Sequence, residues 1–487
     1  MQKTKWFKGT LQDFGEIFSG GTPKTKIPEY WGEDVSWITP ADLSGYSEKY
    51  IHKGRKSITH LGLEKSSAKL IPKGSVLFSS RAPIGYVAIA GNDLCTNQGF
   101  KSLVPSEAVN SDFLYYYLKS IKQLAENRAS GTTFKELSGK AFGELPLSVP
   151  PLPEQRAIVS KIELLFSELD NGIANLKLAQ EQLKVYRQAV LKKAFEGELT
   201  KEWREQQVDL PGADELLVEI KREREEDVKA SGKKLKSLKP LSETEISALP
   251  MLPEEWRWVK LGELTDMVSG RAFKKSEYSK EGVRLFQIAN VSFGFTIWDT
   301  IINLPGKYLQ KYPELVLKEG DLLIALNRPL IQRKLKICRL SKSDIPAILY
   351  QRVGRLDFFS EGYEKYMLHF MQGPSFISAF EKELQGIDIP FINKGKLLDK
   401  RVPICSKEEM TAIVTEIETR LSVCDKLEQD IAENLEKAEV LRQSILKKAF
   451  EGKLLDEREL EEVRNAPDWE PAEKLLEKIS AKKKSKK

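Results

Sequence analysis

Apolar residues recur at alternating spacings of three and four along one stretch of the chain: Ile158, Ile162, Leu165, Leu169, Gly172, Leu176, Ala179, Leu183, Tyr186 and Val190. That spacing is the a/d seam of a helix packed against another helix. A shift of 255 positions gives Ile413, Ile417, Arg420, Cys424, Leu427, Ile431, Asn434, Ala438, Leu441 and Ile445, with polar interruptions at Arg420 and Asn434. The runs open on Ala157-Ile158-Val159 and Ala412-Ile413-Val414. They close on Arg187-Gln188-Ala189-Val190-Leu191-Lys192-Lys193-Ala194-Phe195-Glu196-Gly197 and Arg442-Gln443-Ser444-Ile445-Leu446-Lys447-Lys448-Ala449-Phe450-Glu451-Gly452. One helix written twice predicts a duplicated architecture. At about forty residues each would be about 60 Å long and would need a partner, and its twin is the nearest candidate. The core of that pair is expected from Ile158, Ile162, Leu165, Leu169, Leu176, Leu183 and Val190 against Ile413, Ile417, Leu427, Ile431, Leu441 and Ile445.

The segment before each helix has a different pattern. Over 6–149, short apolar runs are broken by turns. A turn at Lys73-Gly74 leads into the strand pattern Ser75-Val76-Leu77-Phe78-Ser79, and Tyr86-Val87-Ala88-Ile89-Ala90 reads as another strand. Ser111 is placed as the N-cap of a helix with an aromatic face through Tyr117 and Leu118. Pro150-Pro151-Leu152-Pro153 stops this α+β segment and starts the long helix. The second segment echoes it: Gly74, the apolar strand and Pro83 lie against Gly320, its strand and Pro329 at a shift of 246, while the residues beyond the strand differ. The expected order is a globular domain over 1–150, a long helix over 151–200 and a charged helix with a polar linker over 201–250. A second domain over 251–404, a second long helix over 405–455 and a basic tail over 456–487 complete it. The charged run Lys221-Arg222-Glu223-Arg224-Glu225-Glu226-Asp227 reads as a solvated helix face.

Composition narrows the chemistry. A chain of 487 residues with 41% hydrophobic positions fills more than one core. With 77 Lys+Arg against 71 Asp+Glu the net charge is only +6, so any basic surface is local. Cys95, Cys338, Cys405 and Cys424 are far apart and read as isolated reduced thiols of a cytosolic protein, with no apolar run suited to a signal peptide or a membrane span. His52, His60 and His369 have no metal-ligand spacing, and neither a phosphate-binding P-loop nor a nucleophile elbow occurs, so no catalytic residue and no metal site is assigned. Ser19-Gly20-Gly21-Thr22-Pro23-Lys24 has the composition of an anion-binding loop and equally that of a plain Gly-Gly turn.

What recurs is short polar loops after strands. In the first half these carry Thr22 and Lys24, Ser80 and Arg81, Asn97 and Gln98, and Ser130, Thr132, Thr133 and Lys135. In the second they carry Arg271 and Lys274, Asn327 and Arg328, Gln351 and Arg352, and Asn393 and Lys394. Arg suits guanine, Asn and Gln suit adenine, and Ser, Thr and Lys suit phosphates, although any one of them serves as readily as a turn cap.

These residues resemble the DNA-specificity subunits of type I restriction-modification systems. The resemblance rests on Ile17-Phe18-Ser19-Gly20-Gly21-Thr22-Pro23, Tyr30-Trp31, Trp37-Ile38-Thr39-Pro40, Gly74 through Gly85, and Asn97-Gln98-Gly99-Phe100. It continues through Ser130-Gly131-Thr132, Pro150 through Val159, and both Arg-Gln-x-x-Leu-Lys-Lys-Ala-Phe-x-Gly-x-Leu helix ends. It covers nearly the whole chain, and the repeated order of domain, helix, domain, helix is its most specific part. One departure is at the second junction, where Ile404-Cys405-Ser406-Lys407-Glu408-Glu409 stands in place of the prolines, so that junction is expected to bend differently. The resemblance implies a non-catalytic, cytoplasmic phage-defence protein of α+β class. Two target-recognition domains would each read half of a split double-stranded DNA site, separated by two long helices packed as an antiparallel coiled coil. It also implies two modification subunits that methylate adenine with S-adenosylmethionine and two ATP-dependent, Mg-requiring restriction subunits. A related system with fused restriction and modification activities, and a coiled-coil scaffold that does not touch DNA, stand as alternatives. Lys192, Lys193, Phe195, Lys447, Lys448 and Phe450 are a candidate docking place for modification subunits, and packing between the two long helices would account for the apolar ones equally well.

Overall fold

A computed structural model describes the chain apart from residues 1–5, 82, 132–134, 232–238, 387, 472, 475–476 and 478–487, so Thr132, Thr133 and the Lys-rich end lie outside the described residues. The chain forms two compact units, Met1–Lys177 with Ala432–Lys487, and Leu178–Ile431. Each unit therefore holds one globular domain and a part of each long helix. The long helices are Leu152–Phe195 and Lys407–Phe450, both of 44 residues and offset by 255.

The duplication expected from the sequence extends to the strand pairing, and every pairing of named strands in the first domain recurs in the second. In the first, Phe7–Thr10 pairs antiparallel with Pro146–Val149. A five-stranded sheet has the order Gly15–Ser19, Phe100–Pro105, Val76–Ser79, Val87–Ala90, Tyr50–Ile51, and a four-stranded sheet the order Lys56–Ile58, Trp31–Ile38, Leu94–Thr96, Leu70–Ile71. In the second, Arg257–Lys260 pairs with Arg401–Ile404. The five-stranded order is Thr265–Ser269, Val353–Phe358, Leu322–Ala325, Ile337–Arg339, Phe293–Gly294, and the four-stranded order Asn303–Leu304, Val283–Phe286, Ala347–Leu349, Val316–Leu317. The strand predicted after Gly74 is buried at all four positions. Gly74 itself has φ +88, a left-handed turn that glycine adopts without a Cβ clash. The helix Ser111–Ser120 is capped one residue earlier than expected, by Asn110, whose side chain accepts from the Phe113 amide at 3.0 Å. The charged stretch after Gly197 is two helices, Lys201–Glu205 and Ala213–Ser231, with Pro211 between them.

Both long helices begin after equivalent strands and at equivalent residues, Leu152 and Lys407, so loss of the prolines does not move the helix start. At this offset Glu154 aligns with Glu409, and the two do the same work. Each is buried and accepts from an indole, Trp6 Nε1 at 2.8 Å and Trp256 Nε1 at 2.9 Å. Both helices also end alike. Gly197 and Gly452 have φ +78 and +66, and the next amides, Glu198 and Lys453, reach back to the Lys193 and Lys448 carbonyls. This is the Schellman closure that calls for glycine after the last turn.

In the first unit Ile158 and Ile162 share a core with Ile445, Leu446 and Ala449. In the second Val190, Leu191 and Ala194 share one with Met410, Ile413, Val414 and Ile417. The helix segments in each unit thus run antiparallel. The same ion pair closes both: Arg187 on Asp425 at 2.6 Å and on Glu428 at 3.0 Å in the second unit, and Arg442, the equivalent of Arg187, on Asp170, the equivalent of Asp425, in the first. The expected core needs correction toward the middle of each helix. Leu427 and Leu441 are 45% and 50% exposed, and Tyr186 is 43% exposed. Cys424, Ile431, Ala438 and Ile445 of the same register are buried, and Ile173, Arg187, Glu428, Leu435 and Arg442, each one residue on from it, are half-buried beside them. An α-helix drifts by ~20° per heptad against a strict 3.5-residue repeat, so over several heptads the inward stripe widens to take in the neighbouring position as well.

Candidate nucleic-acid interface

The polar loops of the first domain are tied to one another by the backbone. Gly21 donates to the Thr96 carbonyl at 2.9 Å, and the hydroxyl of Thr22 meets the amide oxygen of Gln98. Ser80 donates its amide to Gly99 at 2.7 Å and accepts from the Leu137 amide at 2.8 Å. Arg81 and Ser130 each form a β-bridge with Glu136. The second domain repeats this lattice. Gln351 donates to the Arg271 carbonyl at 3.0 Å, Leu326 donates to Arg352 at 2.9 Å, and Asn327 and Gln385 each bridge Phe391. Asn327 follows its strand as Arg81 does, at an offset of 246, while Gln385 and Phe391 stand 255 beyond Ser130 and Glu136. One backbone cradle is therefore built twice with different side chains on it.

The Gly-Gly pair is explained by close approach of these loops. A Cβ on Gly20 would stand 2.1 Å from the Asn97 carbonyl oxygen, and one on Gly21 would stand 2.3 Å from Ser67. Since the Gly21 amide is bonded to Thr96 and its carbonyl accepts from Trp37 Nε1 at 2.8 Å, the plain-turn alternative describes this pair and no anion-binding nest is formed by it. Gly270 plays the same part in the second domain, 2.1 Å from the Tyr350 carbonyl oxygen.

The cradle sorts the predicted residues. Ser80 is fully buried and its hydroxyl is bonded to Gly99, so it holds the loop and presents nothing outward. Asn97 accepts from the Gly99 amide with its own side chain, and Asn393 caps the helix Lys394–Leu398 by accepting from the Lys396 amide. Lys24, Gln98, Ser130 and Lys135 are exposed, with Thr22 and Arg81 half-buried beside them. In the second domain Arg271, Lys274, Arg328, Arg352 and Lys394 are exposed, and Asn327 and Gln351 are half-buried. Lys394 is held by Asp266 at 2.5 Å.

Two features were not visible in sequence. Glu136 stands 3.6 Å from Arg81 and 3.7 Å from Lys101, whose side chain is almost wholly buried. Burial holds the Lys101 ammonium below the ordinary lysine range, against the opposing pull of Glu136. Arg271 lies over the Tyr312 ring at 4.6 Å and beside Phe273, a cation–π contact for its exposed guanidinium. Tyr312 is 41 residues from Arg271, and no local spacing could have linked them.

Of the six residues considered for partner docking, Phe195 packs edge-on against Tyr366 and Phe370, each at 5.1 Å, and Phe450 against Phe113 and Tyr117, each at 5.2 Å. Both rings are thus packed on helices of the globular domains, Glu364–Gln372 and Ser111–Ser120, and not on the other long helix as expected. Lys192, Lys193, Lys447 and Lys448 remain exposed.

The Arg, Lys, Gln and Ser side chains that the cradle leaves exposed are of the kinds that bond bases and phosphates. Comparisons with known proteins give the family. The profile of the family described as "Type I restriction modification DNA specificity domain" matches residues 3–178 and 253–437, one stretch for each copy. The chain is 32% identical over 451 residues to the type I restriction enzyme MjaVIII specificity subunit of Methanocaldococcus jannaschii, covering 92% of this chain and 93% of that one. Among solved structures, a chain from a study of complex assembly and conformational transition in the type I R-M system aligns with TM-score 0.61 at 19% identity, covering 93% of this chain and 100% of that chain. The HsdS subunit from Thermoanaerobacter tengcongensis aligns with TM-score 0.57 at 19% identity, covering 92% of this chain and 97% of its own. At such identity these structures speak to the fold alone, whereas the family match and the archaeal relative carry the assignment. The chain belongs to the type I restriction-modification specificity subunits, the family of DNA specificity domains.

Proposed function

We propose that this chain is the non-catalytic, sequence-reading subunit of a type I restriction-modification complex, in which each recognition domain reads one half of a bipartite double-stranded DNA target. The long helices set the spacer between the halves. Two modification subunits, using S-adenosylmethionine, methylate adenine where this chain directs them, and two restriction subunits, using ATP and Mg, cleave. The observation that carries this reading is the duplicated loop cradle with exchanged side chains. Arg81 in one copy is Asn327 in the other, Ser130 is Gln385, and Glu136 is Phe391. Arg favours guanine O6 and N7 while Asn favours adenine N6 and N7, so equal scaffolds with unequal loops would read unequal half-sites. Among the described residues no helix is long and apolar enough to cross a membrane, in keeping with a cytoplasmic complex.

Methylation sequencing of a strain that carries the complete system tests the reading. The expected result is a split, asymmetric motif with a fixed spacer. A continuous motif, or modification without sequence preference, overturns it.

A further inference from the structure

The two cradles differ in the length of the loop that follows their central strand. After strand Val76–Ser79 seven residues (80–86) lead to strand Val87–Ala90, whereas after Leu322–Ala325 eleven residues (326–336) lead to Ile337–Arg339. The additional four fall where Leu330–Ile331 and Lys334–Leu335 form a small antiparallel hairpin in the loop that also carries Asn327 and Arg328. Its base is fixed. Leu335 is 2% exposed, the Lys336 amide donates to Pro329 at 2.7 Å, and Lys336 Nζ donates to the Ile288 carbonyl at 2.9 Å. Its tip, Gln332 and Arg333, is exposed, and the contact of Arg333 with Glu381 is a long one of 3.7 Å between exposed groups.

The tip has an unfavourable backbone for its sequence. Gln332 and Arg333 have φ +49 and +58, the two left-handed residues of a type I′ turn. Asn-Gly is the sequence that adopts this turn with little strain, and Gln-Arg is not. Among the described residues only five non-glycines have left-handed φ, and four of them, Arg328, Gln332, Arg333 and Arg352, lie in the hydrogen-bonded loops of this one cradle. Backbone strain of this kind clusters at ligand-binding sites, and here it carries long guanidinium and amide side chains outward.

From this we infer that the hairpin spanning 330–335 is a DNA-contacting finger of the second recognition domain, with Gln332 and Arg333 reading base edges in the major groove. The inference rests on the proposal that this domain reads DNA. A two-stranded ribbon fits the width of the major groove, and Arg and Gln are the side chains that bond guanine and adenine there in bidentate fashion. The first domain, which has the shorter loop, reads its half-site without such a finger.

The test uses the full chain assembled with its modification subunits, and compares Q332N/R333G with wild type. Asn-Gly relieves the turn, so the melting temperature is expected to be unchanged or higher. Affinity for the second half-site is expected to fall about 10- to 100-fold with loss of base preference at one or two positions, while the first half-site is read as before. The single variant R333Q, which leaves the turn length and the neighbouring residues as they are, is expected to show part of the same loss. Wild-type affinity and base preference in both variants overturn the finger. N327A in the same assay separates the two levels: if it weakens the second half-site while the hairpin variants do not, only the finger is wrong. If the wild-type complex shows no sequence preference, the reading of the domain itself has failed.

Discussion

At the scale of single residues, the cradle separates side chains that hold loops from side chains that can reach a base. Arg81 and Asn327 are of the second kind. Arg81→Ala removes the guanidinium and leaves Glu136 paired with Lys101, so the loop is expected to persist. The expected cost is about 1–3 kcal/mol of discrimination at the half-site read by the first domain only, with Asn327→Ala doing the same for the other half. Binding assays on targets mutated in one half at a time would show it, and equal loss at both halves would rule out separate readers. Sequence alone could nominate Ser80, Asn97 and Asn393 for their chemistry but could not show that their oxygens are spent on Gly99 and Lys396. That depends on which loop lies beside which, a long-range property. The cysteines make a second prediction at this scale. All four are buried, and burial pushes the Cys95 thiol up to about 12. Native protein is expected to resist a thiol reagent at pH 8 while denatured protein titrates four thiols. Because the folded thiols stay protonated, stability is expected to be level below an unfolded thiol pKa of about 8.5 and to fall as pH rises above it. Prompt labelling of the native chain would contradict this packing.

At the scale of elements, the repeated helix was the most legible feature because its period is local and its copies coincide without a gap. Its existence followed from spacing and the start of its first copy from the prolines at 150–153. Its register followed only in part, since Leu427 and Leu441 are exposed while Ile431, Ala438 and Ile445 of the same register are buried. The role of Glu409 did not follow, because its partners Thr200, Arg204 and Trp256 are brought to it by the fold. Glu409 is fully buried and faces Arg204 at 2.8 Å, so removing its carboxylate leaves a largely buried guanidinium and an indole without their acceptor. Glu409→Ala is expected to destabilise by about 3–5 kcal/mol, and Glu409→Gln by less because one oxygen is retained. Chemical denaturation read by tryptophan fluorescence would measure both. A change of under 1 kcal/mol for the alanine variant would mean that this junction is not held by the carboxylate.

At the scale of the whole molecule, both long helices continue as helix through the boundaries between the compact units, at 177/178 and at 431/432. An unbroken helix resists bending, which is the physical basis for proposing that the pair sets the spacer. The proposal has a metric consequence. Seven residues added to each helix, after Ala179 and after Asn434, lengthen the rod by about 10.5 Å at 1.5 Å per residue while turning it by only ~20°. On DNA that length is about three base pairs at 3.4 Å each, which rotate one half-site against the other by roughly 100°. The inserted chain is therefore expected to modify sites whose spacer is longer by about three base pairs. It should do so more slowly than wild type modifies its own sites, because the rod supplies the length but not the turn. The two half-sites should be unchanged, since no cradle residue is touched. Methylation sequencing gives half-sites and spacer in one measurement. An unaltered spacer would assign the distance to the domains themselves, and altered half-sites would mean that the helices shape the cradles as well as separate them.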